Sequence, residues 1–206
     1  MAHLLNESDT ARVAEHVAAA ERGTAGEIVV VLAERSAGYE RQRAAVSFTA
    51  TLLVALATWA FVPWVHELWI LCGQVPVVLV FWWLTGLPLL LGRIVPVAAQ
   101  REAVRARSRQ LFLDQGVTET RDRSGVLLFL SETERRVELL ADRGIHERVG
   151  TEHWQQLVTD VVAAIRDGKA ALGLTGAVYA IGERLAQHFP PAPDDTNELP
   201  DAPRRV

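Results

Sequence analysis

The chain has 206 residues, half of them hydrophobic and 22% charged, a formal net charge of −4 and a mean hydropathy of +0.13. An ordinary charged fraction beside a positive hydropathy requires bunched apolar residues: from Ala44 to Gly92 the only ionisable side chains are His66, Glu67 and Cys72. This excludes an all-soluble globule, a disordered chain and, with one cysteine, a disulfide scaffold or thiolate metal cluster. The acidic balance argues against nucleic acid as a partner.

In chain order, Ser8 is expected to cap a helix running to Arg22, with Val13 and Val17 on its inner face and Gly23 as its stop. Glu27–Ala33 is an unbroken apolar run of strand length, the pattern of a strand covered on both faces. After polar residues 34–43, Ala44–Val62 is an uncharged run of 19 residues and Leu68–Gly92 one of 25, joined by the short turn Pro63–Glu67. A helix of the first length covers roughly 28 Å, about one hydrocarbon core. The pair is therefore expected to be a transmembrane helical hairpin; a buried soluble hairpin would show a polar stripe, and none is present. Arg41 and Arg43 precede the first run, Arg93, Arg101 and Arg105 follow the second, and the turn has no basic residue. The positive-inside rule then places the protein in the inner (plasma) membrane with both termini cytoplasmic, these arginines facing anionic lipid headgroups. No charge lies deep in either run, so the hairpin reads as an anchor and not a conducting path.

Beyond Arg93 a helix is expected to about Gln115, stopped by Gly116. Ser124–Ser131 and Arg136–Ala141 form an antiparallel pair around Glu132–Glu134, and the spacing from Trp154 to Ile165 and from Thr175 to Phe189 predicts two helices. Residues 1–43 offer one helix and one strand and cannot form a core alone. They join 93–190 in one discontinuous cytoplasmic α/β domain with a mixed sheet, interrupted by the hairpin at 44–92. The proline- and acid-rich tail 191–206 is expected to be disordered.

If the first two strands are parallel, Glu27, Thr120, Arg123, Asp142, Arg143 and His146 converge at the end of the sheet away from the membrane. Two carboxylates there suit a divalent cation and arginine forks suit phosphate, while rim ion pairs are the plainer alternative. No Gly-x-Ser-x-Gly, P-loop, Rossmann or H-E-x-x-H pattern is present.

The segments A-E-R-G-T-A-G-E-I-V-V-V (Ala20–Val31), Tyr39, T-x-x-R-S-G-V-L-L-F-L-S (Thr120–Ser131), E-R-R-V-E-L-L-A-D-R-G-I (Glu134–Ile145) and W-x-x-L-V (Trp154–Val158) resemble the TPM domain family. More narrowly they resemble its bacterial membrane branch, in which a two-helix hairpin interrupts the domain. The resemblance implies a Rossmann-like α/β/α sandwich. It adds Glu21 and Thr24 to Glu27, Thr120, Arg123, Asp142 and Arg143 as motif positions, and it implies Ca2+ or Mg2+ as a cofactor, with Glu27 and Asp142 as ligands. Where many relatives carry a glycine-rich segment, this chain reads Ala141-Asp142-Arg143-Gly144. Functional leads in the family are divided between phosphatase activity and modulation of a membrane receptor. Two functions are therefore expected: a non-catalytic accessory or assembly module for a membrane complex, whose partners are the bilayer and another membrane protein, and, as the alternative, a divalent-dependent phosphatase-like hydrolase.

Overall fold

A computed structural model of the chain describes residues 4–149, 152–191 and 197–206, without the side chains of His146, Glu152 and His153. The elements are α1 (Glu7–Glu21), β1 (Glu27–Ala33), α2 (Glu40–Phe61), α3 (Glu67–Thr85), α4 (Pro88–Ile94), α5 (Val97–Asp114), a 3-10 turn (Val117–Glu119), β2 (Gly125–Ser131), β3 (Arg136–Ala141), α6 (Arg143–Val149), α7 (Glu152–Arg166), α8 (Ala170–His188) and β4 (Arg204–Arg205). They fall into two units, residues 37–100 and the remainder, 1–36 with 101–206.

The larger unit is a mixed α/β fold around a four-stranded sheet in the order β3-β2-β1-β4. β1 and β2 are parallel in the register Glu27↔Gly125 to Ala33↔Ser131, and β3 runs antiparallel to β2. Successive strand residues serve opposite faces, which explains the unbroken apolar runs. Ile28, Val30 and Leu32 with Val126, Leu128 and Leu130 pack under α1, α7 and α8, through Val13, Val17, Val161, Leu174, Ile181 and Leu185. Val29, Val31, Leu127 and Phe129 pack under α5 through Val104 and Leu111. Each such side chain contributes about 1.5–3 kcal/mol of burial, so these two layers hold the sheet between them.

Local chemistry moves several boundaries from where the sequence places them. The cap of α1 is Asn6 and not Ser8: Asn6 Oδ1 accepts the Asp9 N–H at 2.7 Å, and the Asp9 carboxylate accepts the Asn6 N–H at 3.3 Å, a capping box. The long second apolar run and the expected helix beyond Arg93 are divided into three. Pro88 opens α4 at its first turn, and Pro96 cannot continue it and disfavours helix at Val95, which is extended. Gly116 ends the helical stretch as expected, at φ 72°. The short α6 follows β3 directly, where the sequence suggests no helix.

The disordered tail is a correction. Residues 192–196 lie outside the described residues, but Arg204–Arg205 pair with Val31–Leu32 as a parallel strand, and the Val206 N–H donates to the Leu32 carbonyl at 3.0 Å. Arg205 Nη2 reaches the Leu5 carbonyl at 2.7 Å, and Arg204 bonds Gln115. Proline and acid content foretells few buried side chains, yet it carries no information about an unpaired strand edge elsewhere in the chain, and that edge is what orders this segment.

In the smaller unit α2 and α3 pack as a hairpin. Arg43 donates to the Trp82 carbonyl at 2.9 Å and lies 4.6 Å over the Trp82 ring. The hydroxyls of Ser47 and Thr85 meet at 3.3 Å. Both helices are long and apolar enough to cross a membrane.

Candidate functional site at the sheet rim

Parallel pairing of β1 with β2 fixes the geometry of the rim. It sets Glu27 beside Gly125, so the start of β1, the Thr120–Ser124 loop before β2 and Asp142 after β3 share one end of the sheet. The turn after α1 brings Glu21 and Thr24 there too. Glu27, Thr120, Thr24 and Asp142 are all buried, which is unusual for polar side chains and demands partners.

The partners are mostly backbone. Glu21 Oε1 accepts the Ile28 N–H at 2.8 Å. Thr24 Oγ1 donates to the Phe189 carbonyl at 2.6 Å and accepts the Gly26 N–H at 3.1 Å. Thr120 Oγ1 accepts the Ser124 N–H at 3.1 Å, and Ser124 Oγ donates to the Ala25 carbonyl at 3.0 Å. Asp142 Oδ1 accepts the Arg143 N–H at 2.6 Å, while Arg123 Nη1 approaches Asp142 Oδ2 at 3.9 Å. Arg123 sits at φ 53°, in the left-handed region, and its side chain is largely exposed. Arg143 turns outward to Glu147 at 2.9 Å. Gly144 is required where α6 crosses the loop: a Cβ there would lie 2.8 Å from the carbonyls of Asp122 and Arg123. His146 belongs to α6, but its side chain lies outside the described residues.

Two further site residues come from the tail. Glu27 Oε1 accepts the Glu198 N–H at 2.9 Å, and Glu198 Oε2 accepts the Arg121 N–H at 3.0 Å. Asp201 stands beside Glu21. Burial, then the neighbouring Glu27 and Asp201 carboxyls, outweigh the Ile28 N–H and push the Glu21 pKa up from 4.5 to about 8. Glu21 Oε2 has no hydrogen-bond donor among the described residues. The motif N-E-L-P-D (Asn197–Asp201) was the available signal in the sequence, hidden by the tail's composition.

Of the two carboxylates expected to hold a divalent ion, Glu27 and Asp142, each has one oxygen engaged by a backbone N–H, and among the described residues no three His, Cys, Asp or Glu side chains are grouped to hold a metal. At the other end of the sheet Ser131 donates to Glu134, a hydroxyl–carboxylate contact, but Ser131 is fully buried and Glu134 also accepts the Ser36 N–H. Of the arginines assigned to headgroups, Arg43 is spent on Trp82 and Arg105 pairs with Glu138 at 3.5 Å, whereas Arg41, Arg93 and Arg101 are exposed.

Residues 93–184 match the family model of the TPM domain. The fold is similar to the NMR structure of the BA42 protein from the psychrophilic bacterium Bizionia argentinensis, with a TM-score of 0.62 and 17% identity over 100% of this chain and 98% of that one. No curated protein sequence matches the chain.

Proposed function

From a TPM domain over residues 93–184, we propose that the chain is a membrane-anchored binding module, a non-catalytic accessory or assembly factor for a membrane complex on the cytoplasmic side. One observation carries this reading. The buried rim hydroxyls, and one oxygen each of Glu21, Glu27 and Asp142, hold backbone groups of the chain itself. A hydrolase needs a reachable nucleophile beside a base, and among the described residues the rim supplies no such pair. Anchoring is supported by the large apolar side chains left exposed on α2 and α3, Phe48, Leu52, Trp59, Leu71, Val75 and Trp83 among them; a patch of that size is unfavourable in water and stable in lipid. The arginines flanking the apolar helices support the cytoplasmic orientation.

The test takes the full chain in detergent and offers it a phosphomonoester with Mg2+, Ca2+ or Mn2+. No turnover above buffer is expected; turnover that disappears in Asp142→Asn would overturn the accessory reading in favour of a phosphatase. In intact cells of a Cys72→Ser background, a cysteine at Glu67 is expected to react with an impermeant maleimide and one at Asp167 only after lysis. The reverse pattern would overturn the orientation.

A further inference from the structure

The face formed by α7 and α8 leaves large apolar side chains exposed. A groove of about 870 Å3 runs between these helices, and α8 lines it with Leu172, Gly173, Gly176, Tyr179, Ala180 and Glu183. Leu172 and Tyr179 are 62% and 64% exposed there, large apolar side chains with no cover from their own fold. Gly176 lies between them, in the middle of a 19-residue helix where glycine is unfavourable. Nothing among the described residues requires it: a Cβ at Gly176 would meet none of their atoms within 4 Å. The bare backbone is thus available for close approach from outside.

We propose that α8 packs antiparallel against α8 of a second copy across a two-fold axis at Gly176, forming a homodimer. Helical spacing of three, four and seven residues puts Lys169, Leu172, Gly173, Gly176, Tyr179, Ala180 and Glu183 along one stripe. Under a two-fold centred on Gly176, each residue faces the one equally far on the other side of the centre. Tyr179 then meets Gly173 of the second copy, Leu172 meets its Ala180, and Glu183 meets its Lys169. Large side chains fall opposite small ones and opposite charges fall together, twice over. Lys169 and Glu183 are exposed and have no ion-pair partner among the described residues.

The full chain in detergent is the test object. Light scattering behind size-exclusion chromatography should give two copies per particle. Lys169→Glu alone and Glu183→Lys alone should each give one copy, with unchanged far-UV circular dichroism, and an equimolar mixture of the two variants should restore two, because one bridge then keeps its original charges and the other is re-formed with its charges exchanged. In a Cys72→Ser background, Gly176→Cys should cross-link to a dimer with diamide, the added side chain having room in the monomer. A wild-type chain that stays single over the concentration range, or a dimer that survives both charge reversals and does not cross-link at position 176, would overturn the proposal.

Discussion

At Glu21 the environment converts a surface-type residue into a proton-holding one. Its raised pKa, about 8 against an ordinary 4.5, comes from burial and from Glu27 and Asp201 facing it, with the Ile28 N–H opposing. The folded chain therefore keeps a proton that the unfolded chain has released. The corresponding stability is fully present below pH 4.5 and is lost as the pH rises through about 8. Melting temperature is expected to fall between pH 5 and pH 8.5, and Glu21→Gln, which keeps the Ile28 contact without a titrating group, should flatten the fall; a slope unchanged in that variant would refute the assignment. Glu27, Thr120 and Asp142 could be placed at one rim from the sequence because strand ends locate them. Glu198 and Asp201 could not, since their position depends on a chain reversal that no local pattern records.

Among the elements, agreement is best where burial dictates the pattern. β1 and β2 were legible because a strand covered on both faces must be apolar throughout, β3 because a short polar turn separates it from β2, and the stripes of α7 and α8 because one face meets the sheet. Boundaries set by a single hydrogen bond or a single ring were less so: Asn6 displaced Ser8 as the cap, and Pro96 divided the helix that follows the apolar runs. The cap carries a measurable consequence. Asn6→Ala removes the acceptor of the Asp9 N–H and is expected to cost about 1 kcal/mol, seen as a lower chemical-denaturation midpoint. Ser8→Ala leaves that bond in place and should cost less. Equal losses would show that the box does not fix the start of α1.

For the whole molecule, the stretch that matches the TPM model supplies β2, β3, α5 to α7 and most of α8, but β1 comes from before the apolar helices and β4 from the end of the chain. Truncation before Asn197 removes β4, the Glu198 bridge and the Asp201 contact together. It leaves the edge of β1 open at Val31–Leu32 and is expected to lower stability by about 1–2 kcal/mol, roughly 2–8 °C in the midpoint, with association through the bared edge. An unaffected melting curve would mean that the tail rests on the sheet without supporting it.

The pairing of Glu27 with Gly125 joins strands about a hundred residues apart in the chain. During translation, at about 5–20 residues per second, the first of them leaves the ribosome roughly 5–20 s before the second has been made. Throughout that interval the nascent Ile28–Leu32 segment is sticky and without its neighbour, while the two helices long and apolar enough to cross a membrane are being synthesised. Delivery of those helices thus sets the clock for maturation of the larger unit. A stall anywhere between the two strands leaves an orphaned β-former, exposed to chaperones and proteases.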